Sequence, residues 1–416
     1  MKIKITLTFL LFTCLLWAQE TKNVFFIGNS YTGTGNIPEL IKQVANSAGD
    51  VLLYQAHTPG GSTLQQHASN PSVNATIDQG NWDYVVLQEQ SQLPSFPQNQ
   101  INNQIVPYAA QLSNRIKQSN PCTQVTFYMT WGRKNGDQDN CPGWPPVCTY
   151  IGMDDLIRQT YMNLAAANDG IVSPVGAVWR YLITNYPNLD LYSSDQSHPS
   201  TFGSMAAAYT FYTVFFKKSP YDASFSSNIP ATSLAAIQEA VENIVFNQMD
   251  TWHLLDQTPT AAFNYAEEDG TVSFTNNSDN AEEYHWDFGD GNTDTTENPT
   301  HTYIENGTYT VHLTVTKCGE SNTTEQTITI STLSIQDLDV ASLSIYPNPA
   351  TDRVFLNTEQ PIKSIQIIDA LGRTIKANYT QNSTILSIDT HNLSTGSYFL
   401  EVEINSQKHQ IRFIKK

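Results

Sequence analysis

The sequence predicts an α/β protein: a three-layer α/β/α domain on a parallel sheet, followed by two smaller β-sandwich modules. Three observations lead there. Residues 20 to about 255 alternate short apolar runs with stretches of helical periodicity, the pattern that strands buried on both faces and their crossover helices produce. After Gln257-Thr-Pro the pattern changes to short alternating strands with turn-rich joints. The length, 416 residues, is enough for two or three domains with cores of their own.

In the first segment, Val24–Ile27, Val51–Tyr54, Tyr84–Leu87, Val125–Met129 and Ile171–Pro174 read as buried strands. Ile37–Ala48 reads as a helix, with Asn36 as cap, Pro38 in the first turn and Gly49 as its stop. Asp154–Ala167 reads as another. Phe202–Phe216, rich in Ala, Tyr and Phe, reads as a packed closing helix. Helices between nearly every pair of strands favour the layered solution. From 258 to 331, strands at Ala262–Tyr265, Val272–Thr275, Tyr284–Phe288, Tyr309–Thr316 and Thr327–Ile330 are joined at Gly289-Asp-Gly291, Asn298-Pro299 and Asn306-Gly307. A linker at about 331–339 leads to a third, β-rich segment, 342–416, with turns at Pro347-Asn-Pro349, Leu371-Gly372 and Ser394-Thr-Gly396.

Charge narrows the partners. Lys and Arg number 21 against 39 Asp and Glu, a formal charge of −18. A field of that sign repels phosphate backbones and anionic bilayers, so no nucleic-acid partner is expected. With 20 Tyr and 18 Phe the chain is no disordered acidic tail. Residues 1–18 read as a secretory signal: Lys2 and Lys4, the apolar run Ile5–Trp17, then Ala18. That run is short for a bilayer crossing, and no later segment is long and apolar enough, so no membrane span is expected. Cys14 lies within the leader. Export permits disulfides, and Cys141 and Cys148 flank a proline-stiffened loop that could close on itself. Cys122 and Cys318, in different segments, read as buried thiols. Paired Cys-x-x-Cys metal spacings are missing from the sequence, so no metal site is expected.

Three features of the first segment carry chemistry. Gly28-Asn29-Ser30 ends the first strand and precedes a helix, which puts a serine hydroxyl at the carboxyl rim of the sheet. Asp195-Gln-Ser-His198 spaces a carboxylate to hold an imidazole in one tautomer, as a base that activates a hydroxyl requires. Pro59-Gly60-Gly61-Ser62 after the second strand and Gln88-Glu-Gln90-Ser91 after the third supply amide donors for an oxyanion. Each alone has a plainer reading: an ordinary turn, a capping Asp with a surface His, a glycine turn, solvated glutamines. Their order along the chain makes them cohere.

In that order they resemble the blocks of the SGNH (GDSL-type) serine hydrolases. Over about 20–255 the resemblance implies a flavodoxin-like α/β/α hydrolase domain. It implies Ser30 as nucleophile, His198 as base, Asp195 as the partner that orients the base, and the Ser30 and Gly61 amides as oxyanion donors. The third block departs from the family's Gly-x-Asn-Asp. Gln88 is the expected third donor, as in carbohydrate-esterase branches, with Gln90 the alternative. The implied reaction is acyl transfer through an acyl-enzyme, and it needs no metal or organic cofactor. His57, at a strand end, and His67, in a polar helical stretch, rank below His198 as the base. The loop Asn135–Asn140 reads as solvated surface rather than a calcium loop. Trp131, Arg133, Trp144 and Trp179 either stack on sugar or pack internally.

Tyr284-His-Trp286-Asp-Phe288-Gly-Asp290-Gly291 resembles the hallmark of PKD-type domains, with Trp286 and Phe288 alternating into the core. Ile345-Tyr-Pro347-Asn-Pro349, Ile368-Asp-Ala-Leu-Gly372-Arg and Leu393-Ser-Thr-Gly396 resemble the type IX secretion sorting domain. These imply a secreted or cell-surface protein that meets the type IX machinery, and a substrate among acylated carbohydrates or small esters. Three readings follow: a carbohydrate acyl esterase, a lipase or arylesterase using the same triad, or a non-catalytic glycan-binding adhesin.

Overall fold

The computed structural model describes residues 19–331 and 343–416, apart from 359–361, 383–384 and 405–406. The expected leader, with Cys14, and nearly all of the expected linker lie outside the described residues. The chain divides into two compact units. One runs through Ala261 and includes Ser278–Glu283 and Val315–Asn322; the other comprises Ala262–Asn277, Tyr284–Thr314 and Thr323–Lys416.

The first unit is built on five parallel strands: β1 (Thr21–Ile27), β2 (Val51–His57), β3 (Tyr84–Leu87), β4 (Gln124–Tyr128) and β5 (Ile171–Ser173). Their spatial order, β2-β1-β3-β4-β5, is the flavodoxin-like order. All four residues of β3 are buried, as both faces of a sheet covered by helices require. The helices are α1 (Ser30–Gly33), α2 (Ile37–Ser47), α3 (Leu64–Ala68), α4 (Pro71–Ile77), α5 (Gln98–Gln104), α6 (Val106–Ser119), α7 (Tyr150–Ala167), α8 (Val175–Asn185), α9 (Thr201–Phe216) and α10 (Ala231–Ile244). In one layer α2 packs on α9, and α9 on α8 and α10; in the other α3, α4 and α7 pack on α6. Helix α9 is buried at every residue from Gly203 to Phe216. Its apolar residues therefore cover all sides rather than one stripe.

Several local expectations are corrected. Asn36 precedes α2 in the left-handed region (φ 52°), and its side chain makes no capping bond. Pro38 does stand in the first turn, and Gly49, at φ 86°, does end the helix. Cys122 and Cys318 are not thiols but a disulfide, which joins the turn before β4 to the segment Val315–Asn322 within the first unit. Proximity created by folding overrides their distance in sequence. Cys141–Cys148 is also a disulfide. Asp137, expected on a solvated loop, has no exposed side-chain surface; it accepts bonds from Gln92 Nε2 at 2.8 Å and Asn140 Nδ2 at 2.7 Å. Among the described residues no helix is long and apolar enough to cross a membrane.

The segments beyond are antiparallel. Strands β6 (Phe263–Glu268), β7 (Thr271–Asn276), β8 (Glu283–Asp287), β9 (Thr293–Asp294), β10 (Thr300–Thr302), β11 (Gly307–Lys317) and β12 (Glu320–Ile330) form two sheets, β10-β7-β6 and β12-β11-β8-β9. Trp286 and Phe288 are buried there against Phe274, and Trp286 also against Phe263. Strands β13 (Ile345–Tyr346), β14 (Arg353–Asn357), β15 (Ile362–Asp369), β16 (Thr374–Ile375), β17 (Asn378–Asn382), β18 (Ile385–Asp389), β19 (Gly396–Ile404) and β20 (Gln407–Lys415) form two more, β13-β14-β18-β17 and β16-β15-β19-β20. Val354, Leu386, Leu400, Val402 and Phe413 lie in the core between them.

Candidate active site

Strand β1 sits between β2 and β3, so its carboxyl end emerges beside both of their exit loops. The turn that follows β1 is held to each. Asn29 donates its backbone N–H to Gln88 Oε1 at 2.9 Å, and its Nδ2 to the carbonyls of Ser62 at 3.0 Å and Glu89 at 3.2 Å. Its Oδ1 accepts from the Tyr31 amide and so caps α1. Gly28 is required by close approach: a Cβ there would stand 2.6 Å from Gln88 Oε1 and 2.7 Å from Thr32 Oγ1. Ser30 is thereby set at the first position of α1, half-buried at the rim of the sheet.

His198 arrives from the loop before α9, a helix capped by Ser200 Oγ on the Gly203 amide. The imidazole Nε2 lies 2.8 Å from Ser30 Oγ, and Nδ1 lies 2.5 Å from Asp195 Oδ2. With Nδ1–H donated to the carboxylate, Nε2 is left to accept the serine proton. The other Asp195 oxygen accepts from the Ser193 hydroxyl and from the Ser197 and His198 amides. Partial burial alone would raise this carboxyl. The bonds from His198, Ser197 and Ser193 outweigh it and hold Asp195 well below the usual carboxylate range. The group stays ionised.

Aromatic rings back the pair. Tyr31 meets the His198 ring edge-on at 5.3 Å and stacks on Trp131 at 4.9 Å. Trp131 stacks in turn on Trp179 at 3.8 Å and donates Nε1–H to the Ser197 carbonyl at 3.0 Å. Trp131 and Trp179 are wholly buried, so of the two expected roles, sugar stacking or packing, they serve packing. Trp144 is half-buried, with Nε1 donating to the Ser95 carbonyl. Arg133 faces Asp137 and Asp139.

The oxyanion candidates divide. The Ser30 amide stands at the first position of a helix, where no intrahelical acceptor exists. Gly61 is exposed at φ 69° in a turn that Asn29, next to Ser30, holds through the Ser62 carbonyl. Gln88, the expected third donor, is corrected. It is fully buried beneath the turn, its Oε1 accepts from Asn29 N and Thr32 Oγ1, and its Nε2 donates to the Glu89 carbonyl. Both ends of its amide are thus engaged by the turn after β1, by α1 and by Glu89. Gln90 turns to its own loop, with Oε1 accepting from the Gln92 and Leu93 amides and Nε2 donating to Gln92 Oε1.

Three polar side chains behave otherwise than their sequence suggests: Glu89 and Tyr31 carried no expectation, and His67 was expected on a polar face. Glu89 is buried and accepts from the amides of Leu64 and Gln90; burial pushes its carboxyl up to about 7 against those bonds. His67 is buried rather than polar-facing. Its Nε2 bonds the Gly28 carbonyl at 2.9 Å, and burial lowers it to about 4, so it is neutral. Its Nδ1 lies 3.3 Å from Nδ1 of His57. The third is Tyr31, whose hydroxyl lies 2.6 Å from Ser197 Oγ. Only its place beside Ser30 hinted at a role.

Comparison with known proteins adds to both ends of the chain. Residues 257–332 match the family described as PKD domain, and residues 344–416 the family described as secretion system C-terminal sorting domain. A stretch of 44 residues is 57% identical to collagenase ColA of Bacillus cereus, covering 11% of this chain and 5% of that one. The chain spans only a small part of the curated relatives it matches. Among solved structures, a DUF4886 family protein from Bacteroides uniformis is 17% identical, covers 54% of this chain and 95% of its own, and gives a TM-score of 0.48. A candidate SGNH hydrolase from Slackia heliotrinireducens is 22% identical over 46% of this chain and 97% of its own, at a TM-score of 0.39. Both C-terminal segments are thus similar to the families that the motifs around Trp286 and Pro347 anticipate.

Proposed function

We propose that the chain is an exported serine ester hydrolase that removes acetyl or other short acyl groups, with acylated carbohydrate as its substrate class. One observation carries the reading: Ser30 Oγ, His198 and Asp195 stand in hydrogen-bonded series, with the serine and imidazole reachable from solvent. His198 Nε2 takes the Ser30 proton as Oγ attacks the ester carbonyl, and the ionised Asp195 steadies the imidazolium that forms. The Ser30 and Gly61 amides receive the oxyanion. The intermediate collapses with proton return from His198 to the leaving alkoxide. Water, activated by the same imidazole, then releases the acid and restores Ser30.

The division into a hydrolase domain at 20–255, a PKD-type module at 258–331 and a sorting module at 342–416 belongs to the same proposal. Similarity of 344–416 to a secretion sorting domain supports export through that machinery to the medium or the cell surface. The carbohydrate preference draws support from the PKD-type module alone. The test is hydrolysis of a short-chain aryl ester and of acetylated oligosaccharides by the full chain, with mass spectrometry after a fluorophosphonate probe. Turnover lost in Ser30→Ala, with Ser30 as the labelled residue, supports the reading. An unlabelled Ser30 or an active Ser30→Ala variant sinks it.

A further inference from the structure

Ser30 and His198 lie on separate elements, a four-residue helix and a loop, and nothing in their own bond keeps the two together. The loop is fastened at Ser197, the residue just before the base. The Tyr31 hydroxyl, just after the nucleophile, lies 2.6 Å from Ser197 Oγ. The Tyr31 ring is 2% exposed, stacked on Trp131, and Trp131 holds the Ser197 carbonyl from the other side. One phenol thus joins the helix of Ser30 to the loop of His198.

We propose that Tyr31 is a positioning residue for the base: its hydroxyl, bonded to Ser197, sets the distance between Ser30 Oγ and His198 Nε2. The inference rests on the esterase reading above. Displacing a reacting group by about 1 Å costs on the order of 100-fold in rate, so a fastener one residue from each partner is felt in the chemical step. The loss is expected in kcat rather than in KM.

The test is a double-mutant cycle in the full chain. Tyr31→Phe deletes the hydroxyl and keeps the ring on Trp131 and against His198. Ser197→Ala removes the same bond from the half-exposed side, so a folding defect in one variant leaves the other informative. With a short-chain aryl ester, each single variant is expected to lose at least about tenfold in kcat with KM within about twofold. The double variant should lose no more than the worse single one, because both remove one shared bond. A kcat within about twofold of native in Tyr31→Phe and Ser197→Ala overturns the inference, as do losses that multiply in the double variant. Native turnover abolished by Ser30→Ala alongside an unaffected Tyr31→Phe overturns the Tyr31 role alone. No Ser30-dependent turnover in the native chain overturns both.

Discussion

Ser30 Oγ and His198 Nε2 stand 2.8 Å apart although 168 residues separate them. The sheet order brings this about, because β1, which leads to the serine, lies inside the sheet and the loop before α9 reaches its carboxyl rim. Asp195 completes the series from within the base's own turn. Asp195→Asn keeps the shape but offers an amide where Nδ1–H needs an acceptor. A fall in kcat on the order of 10⁴-fold is expected, with an unchanged fold by circular dichroism. Steady-state kinetics on an aryl ester checks it.

Gly28 and Gly61 are needed for different reasons, and alanine separates them. At Gly28 the new methyl meets Gln88 and Thr32 within 2.7 Å, so Gln88 must leave the Asn29 amide. At Gly61 the space is open and only the backbone, at φ 69°, resists. Gly61→Ala should cost about 1–2 kcal/mol of stability. Gly28→Ala should cost more, about 2–3 kcal/mol, by overpacking and a lost buried bond. Denaturant melts that rank the two the other way would refute this account.

Two buried titrating groups behind the site pull stability in opposite directions over one pH window. Glu89 rises from 4.5 to about 7, so its folded state loses stability as pH climbs from 4.5 through 7. His67 falls from 6.5 to about 4, so stability is lost as pH drops from 6.5 through 4. Each effect is worth about 3 kcal/mol and the two largely offset. Glu89→Gln should expose the histidine limb, giving a Tm that falls from pH 6.5 to 4.5 more steeply than in the native protein. Thermal melts at the two pH values decide it; parallel native and variant curves would count against the assignment.

The Cys122–Cys318 bond closes a loop of 196 residues. By chain entropy such a loop is worth about 5 kcal/mol. The Cys122→Ser, Cys318→Ser double variant should melt well below the native protein under oxidising conditions, and at the native protein's reduced Tm when reductant is added. A native Tm indifferent to reductant would contradict it.

The architecture was legible because the five strands announce themselves as apolar runs, and because Gly49 and Pro38 punctuate α2 as they should. Ser30, Asp195 and His198 could be read from their spacing and their place at strand and helix ends. The failures are those of side-chain direction. Nothing in Leu87-Gln-Glu-Gln-Ser91 says that Gln88 turns beneath the Asn29 turn while Gln90 caps its own loop, since both are polar residues after a strand. His67 looked polar-facing because its helical neighbours are polar, and Glu89 drew no expectation between two glutamines. Their burial comes from elements that only meet in the folded chain, and the pairing of Cys122 with Cys318 was hidden for the same reason.

Because the carboxylate and the imidazole share one tight turn, they travel as a single body. Three side chains then amount to two mechanical parts, and the gap between that turn and the start of α1 is the coordinate that relates them. Heat, denaturant or a remote substitution would first be registered along this one gap.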